Sequence, residues 1–158
     1  MRNGRREDGL DGAAAPGRIA RVHFATRIEI ACPAEQVFDM VADLRNETRW
    51  SSRVSSAELR TGEPIKLGSR FSIVNGDTPY DVVITTYDRP SRLVFEASGR
   101  PDLTIAYTFT PTGEGTDLES VFDFRPRGVL KGLFPLLAPV IRRDAPKQYA
   151  SLKALCER

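Results

Sequence analysis

Histidine occurs once in this chain, tryptophan once and cysteine twice. A Ser-His-Asp or Cys-His arrangement, or a histidine-ligated metal, would therefore have to use His23. That residue alternates with Arg27 and Glu29 on the polar side of its segment, which reads as surface. Cys32 and Cys156 stand far apart without paired spacing, which argues against a disulfide scaffold and against a zinc site built on CxxC. They read as small thiols in a reducing compartment. No apolar run approaches the ~18 residues of a membrane span. A surplus of charge is missing as well, since 23 basic and 21 acidic residues leave +2, without the basic stripe of a nucleic-acid binder. What is present is a 41% hydrophobic chain of 158 residues, the size of one domain with its own core. No metal and no cofactor are expected.

Residues 1–18 (MRNGRREDGLDGAAAPGR) show no apolar periodicity and no apolar stretch of the kind a secretory signal needs. They read as a disordered tail, and residues 19–158 as a single domain with a cytoplasmic address.

The folded region opens with alternation. Val22, Phe24, Thr26, Ile28 and Ile30 share one parity, which predicts a half-buried strand. Pro33 then sits at the start of AEQVFDMVADL, where Val37, Phe38 and Val41 fall at helical spacing. A second short helical stretch runs through Leu44–Arg49 to Trp50. From residue 53 to 125 strands and turns follow in close succession: Arg53–Leu59, Gly68–Val74, Tyr80–Tyr87, Arg92–Ala97, Leu103–Thr110 and Thr116–Phe124. Asn75-Gly76-Asp77 is a hairpin signal, and the short connections throughout predict an antiparallel meander. In the last two strands Leu103, Ile105, Tyr107 and Phe109 share a face, as do Leu118, Ser120, Phe122 and Phe124; Asp117, Glu119 and Asp123 fall on the wet side. A sheet with one apolar face needs a cover. After Gly128 a helical stripe of Leu130, Phe134, Leu137, Ile141, Ala145, Leu152 and Leu155 supplies it. Pro135, Pro139 and Pro146 predict a helix broken or bent near Pro135–Pro139.

The order is strand, two short helices, six-strand meander, long terminal helix. The stretches ATRIEIACPAEQVFDMVADL, GEPIKLGSRF, YDRPSRLVFEA and YTFTPTGEGTDLESVFDF, with their spacing, resemble the SRPBCC superfamily over about residues 20–157. That superfamily includes START lipid-transfer domains, the birch-pollen allergen type and polyketide cyclase/dehydrase-like proteins. The resemblance implies an α+β helix-grip fold, a curved antiparallel sheet of about seven strands wrapped around a long C-terminal helix. It also implies a deep cavity between the two, suited to a largely apolar ligand. Packing agrees, because one helix fills a curved meander only where bulky side chains meet in the middle.

The residues placed to line such a cavity are Thr26, Trp50, Phe71, Phe95, Tyr107, Phe109, Ser120, Phe122, Phe134, Leu137, Ile141 and Gln148. Tyr107 reads either as a core tyrosine or as a ligand-orienting hydroxyl. Gln148, an amide on an apolar stripe, needs a partner, whether solvent, protein or ligand. Asp81, Glu96, Glu119 and Asp123 read as surface carboxylates, while the facing of Glu58, Asp81 and Tyr87 rests on strand parities that the pattern leaves open. Arg125 reads as exposed, or as a clamp for an acidic ligand head. The first expectation is a carrier or sensor of a small hydrophobic molecule, lipid- or polyketide-like. The alternative is a polyketide cyclase/dehydrase (aromatase)-like enzyme acting on a poly-ketone chain in the same cavity. A third class is an interaction module using the open face of the sheet or segment 126–140. Homodimerisation stays open.

Overall fold

The computed structural model describes residues 21–158. The tail read from residues 1–18 lies outside the described residues.

Strand β1 (Val22–Ile30) carries the alternation seen in the sequence, with its odd-numbered residues His23 to Glu29 all exposed. Pro33 then caps helix α1 (Ala34–Ala42), whose Val37, Phe38 and Val41 turn into the core. A 3-10 turn (Leu44–Asn46) is held by Asp43, whose carboxylate accepts from the Arg45 amide, and leads into the one-turn helix α2 (Glu47–Trp50). The meander follows as β2 (Val54–Leu59), β3 (Arg70–Asn75), β4 (Thr78–Asp88), β5 (Arg92–Ser98), β6 (Asp102–Thr112) and β7 (Gly115–Arg125). Between β3 and β4 the turn uses Gly76 at φ 61°, a left-handed conformation that a side chain would strain.

The seven described strands form one antiparallel sheet in the order β1-β7-β6-β5-β4-β3-β2. β1 and β2, consecutive among the strands, therefore occupy opposite edges, and α1 and α2 bridge the distance. Register shifts at Val54/Ser56 in β2 and Ile84/Thr86 in β4 are bulges, which bend a sheet locally. The β1/β7 register sets Thr26 opposite Ser120 and Phe24 opposite Phe122, so the inward faces of the two strands coincide.

Helix α3 (Leu130–Cys156) crosses the inner face and packs on β1, α1 and α2. It runs without interruption through Pro135, Pro139 and Pro146, so of the break or bend expected near Pro135–Pro139 the break does not occur. All three prolines are exposed. Each removes one amide donor, and on the water side the carbonyl left without its partner is hydrated instead. A second departure concerns Asp117, which is buried although it lies on the outward parity of β7. Arg27, across the strand pair, covers it with a forked ion pair.

Leu93, Phe95, Phe109, Leu118, Phe38, Phe134 and Leu152 form the packed core between sheet and helices. Glu58, Asp81, Glu96 and Glu119 face solvent, and Tyr87 packs edge-on against Phe38.

Candidate functional site

The core is not solid throughout. Between the inner face of the sheet, α2 and the first two-thirds of α3 lies a cavity of about 360 Å³, at the small end of the range for ligand sites. The sheet contributes Phe24, Ile73, Val82, Phe95, Ile105 and Phe122 to its wall, among others. Helix α3 adds Leu130, Phe134, Leu137 and Ile141, one residue per turn along its inner stripe. The lining is mainly apolar because alternate strand residues and one helical stripe meet there.

Polar groups enter at a few points. Tyr149 on α3 and Tyr107 on β6 are both buried, and their hydroxyls lie 3.2 Å apart. Burial is the main cause that raises both phenols above their ordinary range. Two hydroxyls share one bond, so the pair keeps a second proton to offer. Ser120 lies on β7 directly opposite Tyr107, and its buried hydroxyl acts on Tyr149, partly offsetting the rise of that phenol. The Trp50 indole stacks on Tyr149 at 5.8 Å, and its N–H is unpartnered among the described residues. Gln148 lines the cavity too and accepts from the Ser51 hydroxyl at 3.1 Å.

The group with the greatest chemical consequence is Glu47, the first residue of α2. Its side chain lines the cavity, and burial pushes its carboxyl up to about 7, with no hydrogen bond or nearby cation to counter that. Its charge also acts on Tyr107 and Tyr149, raising both further. At the opening stand Arg53, Arg100 and Asp144, of which Arg53 and Asp144 pair at 3.4 Å. Among the described residues no cluster of three or more metal-ligating side chains occurs.

Of the residues singled out from the sequence, Trp50, Phe95, Tyr107, Phe122, Phe134, Leu137, Ile141 and Gln148 line this cavity. Phe71 and Phe109 do not; both are buried in the solid part of the core. Ser120 lies behind the tyrosine pair, and Thr26 lines a separate shallow groove between β1 and α3. Arg125 bonds to the Thr104 hydroxyl, away from the cavity, and His23 is exposed. Glu47, Tyr149, Arg53 and Arg100 went unnoticed. Tyr149 stands four residues after Ala145 and three before Leu152, so the helical stripe itself could have found it. Glu47 sits in a four-residue helix, too short for periodicity to assign a face.

Comparison with known proteins bears on this architecture. A family model described as polyketide cyclase / dehydrase and lipid transport matches residues 21–157. The chain belongs to that family. No curated protein matches it by sequence. Among solved structures it is similar to the Zhui aromatase/cyclase from Streptomyces sp. R1128, with TM-score 0.74 and 13% identity over 88% of this chain and 95% of that one. A START superfamily protein from Mycobacterium smegmatis aligns with TM-score 0.73 at 13% identity, covering 85% of this chain and 97% of the other. The di-domain aromatase/cyclase BexL of the BE-7585A biosynthetic pathway aligns with TM-score 0.68 at 19% identity over 87% of this chain. The chain spans half of that di-domain protein's length. At these identities the likeness is one of fold, and members of a shared fold differ in chemistry. Family membership brings with it the general property of binding hydrophobic ligands.

Proposed function

We propose that this family member binds one small, largely hydrophobic molecule, lipid- or polyketide-like, in the cavity between sheet and α3, with a polar end at the Glu47–Tyr107–Tyr149 cluster. The supporting observation is the cavity itself, about 360 Å³ with a mainly apolar wall and a few buried polar groups. Affinity then comes chiefly from removing ligand hydrocarbon from water, about 25 cal/mol per Å². The hydroxyl pair and Gln148 set orientation.

Native mass spectrometry and displacement of a bound fluorescent hydrophobe test this. Wild-type protein should retain an apolar molecule, and Ile105→Trp, which projects an indole into the cavity, should reduce retention about tenfold or more. Equal retention by both proteins, or none by the wild type, would refute the proposal.

A second reading is favoured by one observation, the carboxyl of Glu47 held near neutrality beside two hydroxyls. A group that is both acid and base at neutral pH suits an aldol closure. Glu47 would take a proton from a methylene between two carbonyls, and the tyrosine hydroxyls would stabilise the enolate oxygen that forms. Holding the chain folded in a shaped cavity contributes further to rate. Under this reading Glu47→Gln abolishes turnover of a poly-β-ketone mimic while leaving its binding intact.

A further inference from the structure

The outward side of α3 does not resemble a solvated helix face. Of the large hydrophobic residues exposed among the described residues, Val129 (87%), Leu136 (74%), Leu133 (52%), Val140 (51%) and Leu137 (45%) all belong to this one segment, with Leu67 alone elsewhere. At about 100° per residue they fall within an arc about 100° wide, a continuous aliphatic ridge. Only Phe134 and Ala138 are buried between residues 127 and 143. The first half of α3 thus touches the body along one narrow line and presents hydrocarbon to its surroundings.

Charge along the same segment has one sign. Residues 124–143 hold five basic side chains, Arg125, Arg127, Lys131, Arg142 and Arg143, and no acidic one. Lys131, Arg142 and Arg143 are exposed and form no ion pair among the described residues. Arg143 lies about 20° from Leu136 on the helical projection, beside the ridge, and Lys131 and Arg142 stand on the far side of the helix.

We propose that segment 127–143 docks this protein on an anionic lipid bilayer, the ridge of Val129, Leu133, Leu136 and Val140 entering the acyl boundary, Arg143 beside it meeting the headgroups, and Lys131 and Arg142 on the opposite face adding to the attraction at longer range. An aliphatic ridge with a cation at its edge and others on the opposite face is the profile of a helix that lies in the membrane interface. A second copy of this chain fits less well, because a two-fold contact through the ridge would set the unpaired Arg143 of each copy beside the contact with no carboxylate in segment 127–143 to meet it. A protein groove also fits less well, since the ridge is convex and lacks the tyrosine and tryptophan anchors on which such contacts depend. Leu137 belongs both to the ridge and to the cavity wall. Docking by the ridge would therefore set one lip of the cavity against lipid. The inference stands on the surface alone and does not require the ligand reading.

The full chain is mixed with phosphatidylcholine vesicles, and with vesicles of phosphatidylcholine and phosphatidylglycerol, then pelleted. Binding to the mixed vesicles should be about tenfold stronger or more, and should weaken as salt rises. Leu136→Ser/Val140→Ser should lower that binding about tenfold or more, with an unchanged melting temperature because both side chains are already exposed. Arg143→Gln should lower it about fivefold through charge alone. Absence of vesicle binding would overturn the proposal, as would equal binding by wild type and both variants. A concentration-dependent dimer that Leu136→Ser/Val140→Ser dissolves, without vesicle binding, would reassign the ridge to a second copy. Vesicle binding with an empty cavity, or a loaded cavity without vesicle binding, separates this proposal from the ligand reading.

Discussion

Glu47 couples the stability of the fold to pH in the direction opposite to that of the other perturbed carboxyls. Its carboxyl moves from its ordinary 4.5 up to about 7 because burial disfavours the anion. The folded protein therefore holds this proton while the unfolded chain has already released it. Between about pH 4.5 and pH 7 stability falls as pH rises, and above that window the full cost of a buried charge is present. A rise of this size corresponds to about 3 kcal/mol at most. Water entering the cavity to solvate the anion lowers this to about 1–3 kcal/mol. Glu47→Gln keeps the shape and cannot ionise. Its stability relative to wild type should thus be near zero below the window and rise to about 1–3 kcal/mol above it, or about 2–12 °C in melting temperature for a domain of this size. Asp43, Asp117 and Glu157 are held low by Arg45, Arg27 and Lys153 respectively, and lose stabilisation as pH falls. They cancel in the difference between the two proteins. Calorimetry of both at about pH 5 and pH 8.5 measures that difference. A gap that does not change with pH would show that the Glu47 carboxyl is solvated and that its placement against the cavity is misjudged.

Two further substitutions test the packing that frames the site. Leu152→Ala removes a fully buried side chain of α3 and should cost about 2–5 kcal/mol in urea unfolding, whereas Leu136→Ala on the open ridge should change stability by less than about 0.5 kcal/mol. A similar cost for both would mean that α3 is seated on a different face. Gly115 opens β7 where it passes under the end of β1, and a Cβ there would overlap the Ile30 carbonyl and lie 2.8 Å from the Ala31 Cα. Backbone cannot swing aside as a side chain does, so Gly115→Ala should destabilise by about 1–3 kcal/mol, and a neutral outcome would mean that the two strand ends are farther apart.

Most of the architecture was legible because it rests on local periods. Strands half-buried in an antiparallel sheet must alternate, so the parities of β1, β6 and β7 pointed inward correctly before any pairing was known. The stripe of α3 followed from the 3.6-residue period in the same way, and included Tyr149 although the residue was passed over. Parity names a face and not a depth, however. Phe71 and Phe109 share inward parity with Phe95 and Phe122, yet the first pair packs solidly and the second borders empty space. That difference depends on which side chains of α2 and α3 arrive opposite each ring, which is information held by residues far away in the chain.

The same division holds for charge and for the prolines. Asp117 lies on the wet parity and is buried because Arg27, ninety residues earlier, lies over it. The prolines of α3 read as breaks, and the helix continues because tertiary packing turns them toward water. Glu47 is the clearest case. Nothing in ETRW marks its half-buried first residue as facing the interior, since one turn has no measurable period. The crossing from one edge of the sheet to the other places that turn against the cavity and leaves the carboxyl without a partner. The sequence by itself determined which faces are apolar and in what order the elements come, since both are short-range properties of the chain. Only the tertiary structure decided where the interior stays hollow and which polar groups are shut inside it, because both depend on elements brought together across the whole length of the domain.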